Sequence, residues 1–246
     1  MNASPVPATG LFETMLVCGG RPVELDAHLA RLEASLASLL GASLPDSAEA
    51  LVHVKASSAG LGRLRLTVAL GRATVDATEV AEEMVFPAWE RALRLRPLVL
   101  PGGVGAHKWA DRRLLAEAEG RCGPGALPLV IDADGAVLEA SRANLFLVTG
   151  GVVVTPRADG RLLPGVTRRR VLDLAVEAGL EVREAIVTLG DLAAADEVFL
   201  TGSVRGIEPV RGCDGAGEWG PGPIVPLLSG RLRRLWIRTP VEEGAR

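Results

Sequence analysis

The chain has 246 residues, of which 48% are hydrophobic and 23% are charged, so it can bury the core of one large domain or two modest ones. Its formal net charge of −3 gives no electrostatic reason to bind nucleic acid or an anionic membrane. The cysteines, Cys18, Cys122 and Cys213, lie far apart and in no metal-binding spacing, which argues against a disulfide framework and a zinc site. No apolar run is long enough for a membrane span and the N-terminus has no signal-peptide pattern, so we expect a cytoplasmic protein.

The first hundred residues predict an α+β lobe. Residues 11–17 and 22–25 flank a Gly-Gly turn and indicate a hairpin, after which Asp26 is placed to cap a helix that ends near Gly41. Leucines at steps of three and four residues give this helix one apolar face. The elements expected after it are one helix and then three strands, at residues 47–57, 62–70, 75–78 and 92–100.

His28 and Arg31 lie three residues apart on the polar side of the first helix, so their side chains are neighbours. Charged side chains on a helix are mostly solvated, which is the simplest interpretation of the pair. A binding role is the alternative, and the helix by itself does not distinguish the two.

A Gly-rich segment at residues 101–106 is the candidate connection between an N-terminal lobe, residues 1–100, and a C-terminal lobe, residues 107–246. Lys108 follows this segment and precedes a helix that ends near Gly120. A lysine where a flexible segment meets a helix is a candidate Schiff-base amine if burial lowers its pKa. Otherwise it is an ordinary solvated lysine.

The C-terminal lobe contains two segments suited to an anion. At residues 164–167, a Gly-rich helix start beside a hydroxyl offers free N–H groups and the positive end of the helix dipole. Residues 201–206 form a turn that is also rich in hydroxyls and free N–H groups. Strands are predicted at residues 127–132, 136–138, 145–148, 152–155, 180–186 and 197–200, helices at residues 166–178, 189–194 and 224–237, and a loop at residues 213–223.

Several short motifs, each weak alone, together resemble the signature of the class IV aminotransferases, which are pyridoxal-phosphate enzymes of fold type IV. The resemblance covers nearly the whole chain from Leu11 onward. The signature consists of Glu139-x-Ser141-x-x-Asn144-Leu145-Phe146, Val153-x-Thr155 and Leu163-x-Gly165-Val166-x-Arg168. Further motifs in the family's order are Phe12-Glu13-Thr14, His28-x-x-Arg31-Leu32, Lys108 and Thr201-Gly202-Ser203.

The resemblance implies a two-lobed α+β fold, with a small N-terminal α/β lobe and a larger C-terminal α/β pseudo-barrel lobe, and the cofactor pyridoxal 5'-phosphate. It implies that Lys108 binds the cofactor as a Schiff base and later moves the proton at the substrate carbon. Glu139 is expected to pair with the pyridine nitrogen and keep it protonated. The other residues expected to hold the cofactor, mainly by its phosphate, are Arg31, Val166, Thr167, Ser203 and Val204.

Within the family, the chain looks closer to the 4-amino-4-deoxychorismate lyases, in its Phe-Glu-Thr beginning, its Arg-Leu-Arg-Leu-Thr-Val strand and the pair Asp111-Arg112 after the lysine. This implies a homodimer that binds a small-molecule amine, releases pyruvate and forms 4-aminobenzoate. From position and charge, Thr14 is expected to help in proton transfer, and Arg113 or Arg205 to meet a substrate carboxylate.

Two other functions stay open. An aminotransferase for a small amino acid, of the D-amino acid or branched-chain type, needs the same cofactor residues. The absence of tyrosine argues against the branched-chain type, which is expected to have a Tyr- and Arg-lined pocket. About ten residues precede Leu11, where relatives usually have an extra strand, so we expect either a first sheet without one edge strand or a misassigned start. A family member that acts as a binding module without catalysis is the third alternative.

Overall fold

The computed structural model describes residues 6–237, and within this range the chain forms two β-sheets, of four and nine strands. The smaller sheet and its helices consist of β1 (Leu11–Cys18), β2 (Arg21–Pro22), α1 (Leu25–Leu40), α2 (Ser47–Ala56), β3 (Leu61–Ala69) and β4 (Arg72–Glu79). Its strands are antiparallel, in the order β2-β1-β3-β4. Along β3 every second residue is buried, and Leu64 and Leu66 pack with Leu32, Leu36 and Val52 of the helices.

The first helix starts differently from the prediction. Asp26 is not its cap: the N-cap position is Glu24, in the left-handed region with φ 55°, and Asp26 lies in the first turn. The Glu24 carboxylate makes no cap hydrogen bond because it accepts from Arg170 Nε at 2.8 Å and Nη2 at 2.9 Å. The predicted end is confirmed, since Gly41 has φ 59°, a conformation that favours glycine.

The larger sheet and its helices make up the rest of the described chain. Their bounds are β5 (Leu93–Val99), α3 (Arg113–Cys122), β6 (Ala126–Ile131), β7 (Val137–Ala140), β8 (Ala143–Thr149), β9 (Val152–Pro156), α4 (Val166–Glu177), β10 (Val182–Ala185), α5 (Leu189–Ala193), β11 (Glu197–Gly202), β12 (Gly206–Cys213), β13 (Gly217–Glu218) and α6 (Ile224–Trp236).

Six of these strands close into a ring. The order is β8-β11-β12-β5-β6-β7, and β7 pairs back onto β8. Alternate residues of β8 enter different cores: Leu145 and Leu147 pack with side chains from the other ring strands, whereas Phe146 and Val148 pack with α4 and α6. Because β8 is buried on both faces, its sequence is a continuous apolar run without alternation. The ring agrees with the expected larger pseudo-barrel lobe.

The strand β12 is missing from the sequence prediction. Its residues include Glu208, Pro209 and Gly212, types that are depleted in strands, yet it lies between β11 and β5 in the ring. The predicted connection at residues 101–106 follows β5, which already pairs with β12 and β6 of the larger sheet. The change of sheet therefore falls between Glu79 and Leu93, and the division into domains stays a prediction.

Between residues 6 and 237, no helix has both the length and the apolar character needed to cross a bilayer.

Candidate active site

A cavity of about 730 Å³ lies between the two sheets, and segments distant in sequence form its walls. The smaller lobe contributes Arg31 from α1. The larger lobe contributes the segment after β5, the turn between β7 and β8, the start of α4 and the end of β11. Backbone hydrogen bonds from β1 fix two of these walls, because Phe12 N–H donates to the Lys108 carbonyl at 2.9 Å and Leu16 N–H donates to the Ser203 carbonyl at 3.0 Å.

Lys108 projects its amine into this cavity. Its Nζ lies 4.9 Å from the centre of the Phe12 ring. Burial, reinforced by the Arg31 charge, lowers the pKa of the Lys108 amine to about 8. About a tenth of such an amine is unprotonated at pH 7, far more than for an ordinary lysine, and the unprotonated form is the nucleophile. The interpretation of Lys108 as an ordinary solvated lysine is therefore wrong. The chain contains one other lysine, Lys55, which is exposed on α2.

Glu139 is a buried carboxyl group at the cavity wall, on β7. Its Oε1 accepts a hydrogen bond from Leu163 N–H at 3.0 Å, and its Oε2 accepts one from Asn144 Nδ2 at 3.2 Å. Asn144 also donates to the Leu163 carbonyl at 2.8 Å, so one amide group orients both the carboxylate and the chain before α4. Burial raises the pKa of Glu139 to about 7. The carboxyl group can thus hold or release a proton near neutral pH.

The start of α4 forms an anion-binding corner of the cavity. Its N-cap, Gly165, provides no side-chain hydrogen bond, so the first backbone N–H groups are free. A Cβ atom on Gly165 would lie 2.0 Å from Asn144 Oδ1, which explains the glycine. Thr167 Oγ1 lies 3.2 Å from Ser203 Oγ, and Arg31 Nη1 donates to the Pro164 carbonyl at 2.9 Å. Two hydroxyls, a helix N-terminus and a guanidinium therefore converge.

The solvated interpretation of His28 and Arg31 is wrong. The His28 side chain is 1% exposed and the Arg31 side chain 12%. Both contact Glu13, a buried residue of β1, at 2.7 Å from His28 Nδ1 and 2.6 Å from Arg31 Nη2. The sequence motif that contains Glu13 carried no role for this residue, and its contacts arise only because α1 packs on β1.

Three predicted residues do not line the cavity as the described residues 6–237 define it: Thr14, Val204 and Arg205. Thr14 is half-buried on β1, opposite Arg65 of β3. Val204 packs against the core next to α4 and α6. Arg205 forms an ion pair with the buried Glu208 instead of facing the cavity.

Arg113 and Arg112 differ sharply although they are adjacent. The Arg113 side chain is 78% exposed at the cavity rim and pairs with Asp111, with Nη2 2.8 Å from Oδ2. The Arg112 side chain is 27% exposed, its Nη2 donates to the Ser141 carbonyl at 2.6 Å, and the same nitrogen lies 3.6 Å from Glu119 Oε1. Arg112 is thus the inward arginine, which the sequence analysis did not select. Two consecutive arginines are indistinguishable until the start of α3 fixes which one points inward.

The sequence profile of the family described as amino-transferase class IV matches residues 10–98 and 108–213, which is most of the chain. The chain belongs to this family. This match confirms the resemblance inferred from the motifs. Class IV aminotransferases depend on pyridoxal phosphate.

The curated relatives of the chain include branched-chain-amino-acid aminotransferases. The branched-chain-amino-acid aminotransferase of Escherichia coli (strain K12) is 35% identical over 155 residues, which are 62% of this chain and 49% of that protein. The chain thus spans about half the length of this curated relative. The putative branched-chain-amino-acid aminotransferase of Methanocaldococcus jannaschii is 29% identical over 231 residues, covering 84% of this chain and 79% of the relative.

Solved structures of the same fold include both enzyme types. The 4-amino-4-deoxychorismate lyase of Pseudomonas aeruginosa superposes with a TM-score of 0.75 at 28% identity, over 92% of this chain and 90% of that one. A hypothetical aminotransferase of Mycobacterium tuberculosis in its PLP-bound form has a TM-score of 0.81 at 24% identity, over 94% and 90% of the two chains. The second likeness concerns the fold alone.

The residues around the cavity fit pyridoxal phosphate. A phosphate matches the free N–H groups of α4 with Thr167, Ser203 and Arg31. The Lys108 amine suits the aldehyde, and the Glu139 carboxyl suits a ring nitrogen that carries a proton. Thr201 independently indicates a bound ligand, since its Oγ1 is buried in the cavity wall without a hydrogen-bond partner among the described residues. A buried hydroxyl without a partner is unfavourable until a ligand supplies one.

Replacing Thr201 by valine tests this indication. The variant removes an unsatisfied hydroxyl at nearly constant volume, so the cofactor-free protein should unfold at a temperature equal to or above that of the wild type. The dissociation constant for pyridoxal phosphate should rise about fivefold, corresponding to one hydrogen bond of about 1 kcal/mol. Thermal unfolding and a cofactor titration measure the two quantities. A less stable cofactor-free variant would mean that the protein itself satisfies the hydroxyl.

Proposed function

We propose that the chain is a pyridoxal-phosphate-dependent 4-amino-4-deoxychorismate lyase, which releases pyruvate and 4-aminobenzoate. The observation that carries the proposal is the inward guanidinium of Arg112 in the cavity that contains Lys108. Arg65 lies nearby: its Cζ is 3.8 Å from the Phe12 ring centre, and burial together with the Arg112 charge lowers the pKa of Arg65. Two partly buried like charges favour an anionic partner. The proposed substrate has two carboxylates, whereas a branched-chain amino acid has one.

The side chains act on this substrate as follows. Arg112 binds a carboxylate and thereby orients the substrate ring towards Lys108. Lys108 Nζ removes the proton from the ring carbon that carries the amine. The bond between the neighbouring ring carbon and the ether oxygen then breaks, the ring becomes aromatic, and the departing enolate takes the proton from Lys108 on its methylene carbon to become pyruvate. Glu139 holds the proton required at the cofactor's ring nitrogen. When bound, pyridoxal phosphate stabilises the negative charge that proton removal leaves on the substrate carbon.

The proposed substrate contacts differ from those inferred from the sequence. Arg112 replaces Arg113 and Arg205, because its side chain is mostly buried in the cavity wall, whereas Arg113 is exposed at the rim and Arg205 does not line the cavity within the described residues. Thr14 stays a prediction for proton transfer. Phe12 and Leu16, two residues to either side of Thr14 on β1, make the backbone hydrogen bonds to Lys108 and Ser203. Thr14 therefore lies between the cavity walls formed by Lys108 and Ser203 without lining the cavity within the described residues.

An aminotransferase is the second candidate. The 35% identity to the Escherichia coli branched-chain-amino-acid aminotransferase favours it. The paired arginines would in that case suit a dicarboxylic amino donor such as glutamate. The binding module without catalysis is the third candidate.

One substrate panel separates the candidates. Purified protein loaded with cofactor is incubated with 4-amino-4-deoxychorismate, and in parallel with amino donors and 2-oxoglutarate. Pyruvate and 4-aminobenzoate in equal amounts are expected. Keto acid and glutamate without pyruvate would reject the lyase in favour of the aminotransferase. Cofactor binding without turnover in either assay would leave the binding module.

The role of Arg112 is tested by Arg112→Ala, with the adjacent Arg113→Ala as a matched control. A charge-assisted hydrogen bond is worth about 1.5–3 kcal/mol, so we expect KM for the substrate to rise about 10- to 150-fold in Arg112→Ala. KM should change less than about threefold in Arg113→Ala, because this side chain is exposed and already paired. Arg112→Lys keeps the charge and should recover part of the loss. Equal effects of the two alanine variants would contradict the assignment.

The proposal includes a homodimer, as expected for this family, and the cytoplasmic location stays a prediction from the sequence. Light scattering coupled to size-exclusion chromatography should give twice the mass of the chain. A monomer with full activity would refute the dimer.

A further inference from the structure

Glu13 lies under the cavity and contacts Arg31 through both carboxylate oxygens. Oε1 accepts from Arg31 Nε at 2.8 Å and Oε2 accepts from Arg31 Nη2 at 2.6 Å, so the guanidinium is held by a two-bond fork. The Glu13 side chain is 1% exposed, which makes this fork one of the few buried charge pairs in the described structure. Arg31 is in turn one of the walls of the cavity.

The fork determines which N–H groups of Arg31 stay free. A guanidinium has five N–H donors. Glu13 takes one on Nε and one on Nη2, and the Pro164 carbonyl takes one on Nη1 at 2.9 Å. The remaining donors, one on each terminal nitrogen, have no partner within the described residues, and Arg31 lines the same cavity as the start of α4. They suit two oxygens of a phosphate bound there.

His28 completes the arrangement from the same helix. Burial lowers the pKa of His28, so the imidazole is neutral. Burial raises the pKa of Glu13, but the His28 hydrogen bond and the Arg31 charge outweigh it and bring the pKa down to about 2. The carboxylate is therefore charged, and His28 Nδ1 donates to Glu13 Oε2 at 2.7 Å. Nε2 of His28 has no hydrogen-bond partner within residues 6–237, so Glu13 is the ring's hydrogen-bond partner there.

We propose that Glu13, fixed by His28, is a positioning residue that holds Arg31 in the one orientation suited to the cofactor phosphate. Glu13 does not touch the cavity itself and acts through Arg31. The negative charge of Glu13 repels an anion in the cavity, so charge attraction cannot be how Glu13 favours phosphate binding. Its contribution is the orientation, since a flexible arginine loses side-chain freedom when it binds and a fixed one has already lost it. The inference rests on the cofactor site of the proposed function and is independent of the reaction.

The test compares two ligands that differ only in the phosphate. Cofactor-free wild type and Glu13→Gln are titrated with pyridoxal phosphate and with pyridoxal, and covalent binding to Lys108 is followed by visible absorbance. In Glu13→Gln the dissociation constant for pyridoxal phosphate should rise about 10-fold or more, and that for pyridoxal should change less than about twofold. Equal loss for both ligands, or no loss for either, would overturn the proposal.

Two further variants separate positioning from general damage. Glu24→Gln breaks the other two-bond fork at α1, to Arg170, which does not line the cavity within the described chain, so the ratio of the two affinities should stay at the wild-type value. Glu13→Asp keeps the charge but shifts the fork, and should give a smaller phosphate-specific loss if Glu13→Gln does not fold.

A double-mutant cycle completes the test. In an Arg31→Ala background, Glu13→Gln should weaken pyridoxal phosphate binding no further, because Glu13 acts only through Arg31. An undiminished effect would refute this. Wild type that binds the cofactor without turnover would reject the proposed lyase and leave the positioning role intact.

Discussion

Lys108→Ala is expected to lose covalent capture of pyridoxal phosphate and to retain at most about one thousandth of the wild-type turnover. A positioned base or nucleophile contributes on the order of 10²–10⁴-fold, and Lys108 is proposed for both tasks. No replacement is at hand, because the chain's other lysine, Lys55, is exposed on α2. The wild type should show a visible absorbance band after cofactor addition, and the variant should show only the spectrum of free cofactor.

The two-lysine composition gives this experiment an internal control. Lys55→Ala should keep the absorbance band and the turnover. After borohydride reduction of the loaded wild type, mass spectrometry should find the cofactor on the peptide that contains Lys108. A label on Lys55, or turnover in Lys108→Ala above about a tenth of the wild type, would contradict the assignment.

Local patterns predicted most of the fold because most elements follow one local rule. The apolar face of α1, the Gly41 stop and the alternation in β3 all correspond to observed elements. The failures have tertiary causes. β12 pairs with β11 and β5 despite unfavourable residue types, because the closing ring provides neighbours on both sides. Asp26 is a good capping residue that is not used, because α1 begins two residues earlier, with Glu24 at the N-cap position.

For the site, the order and spacing of the sequence motifs identified several of the residues that line the cavity. Glu139, Thr167 and Ser203 lie near the ends of β7, α4 and β11, and Lys108 lies in the segment between β5 and α3, so all four reach the same cavity. Direction and burial were not predictable. Arg112 and Arg113 have the same local pattern, and only the start of α3 turns the first inward and the second outward. The same holds for Glu13 and His28, whose contact requires packing of α1 on β1.

Glu139→Gln should lower turnover by about 10²–10³-fold, the usual size of losing one preorganised electrostatic partner. A glutamine amide cannot hold the proton required at the cofactor's ring nitrogen. Glu208→Gln is the matched control, because Glu208 is also a buried carboxyl whose pKa is raised by burial, yet it pairs with Arg205 away from the cavity. The turnover of Glu208→Gln should stay within a few-fold of that of the wild type. Equal losses in both variants would show that any buried carboxyl is required and would remove the special role of Glu139.

Glu139→Gln should also change how the thermal stability of the cofactor-free protein depends on pH. Burial raises the pKa of Glu139 from 4.5 to about 7, so between these values the folded chain holds more of this proton than the unfolded chain does. Stability contributed by this group is therefore present below about pH 4.5 and is lost as the pH rises through 7, by at most about 3 kcal/mol. Glu139→Gln lacks this loss, although its amide nitrogen gives up one of the two hydrogen bonds that the carboxylate accepts, so its unfolding temperature should fall less than that of the wild type as the pH rises to about 8. Identical pH profiles of thermal unfolding would contradict the raised pKa. Burial thus makes the Glu139 charge unfavourable in the empty cavity. The same burial strengthens the attraction between this charge and a protonated partner once one is bound.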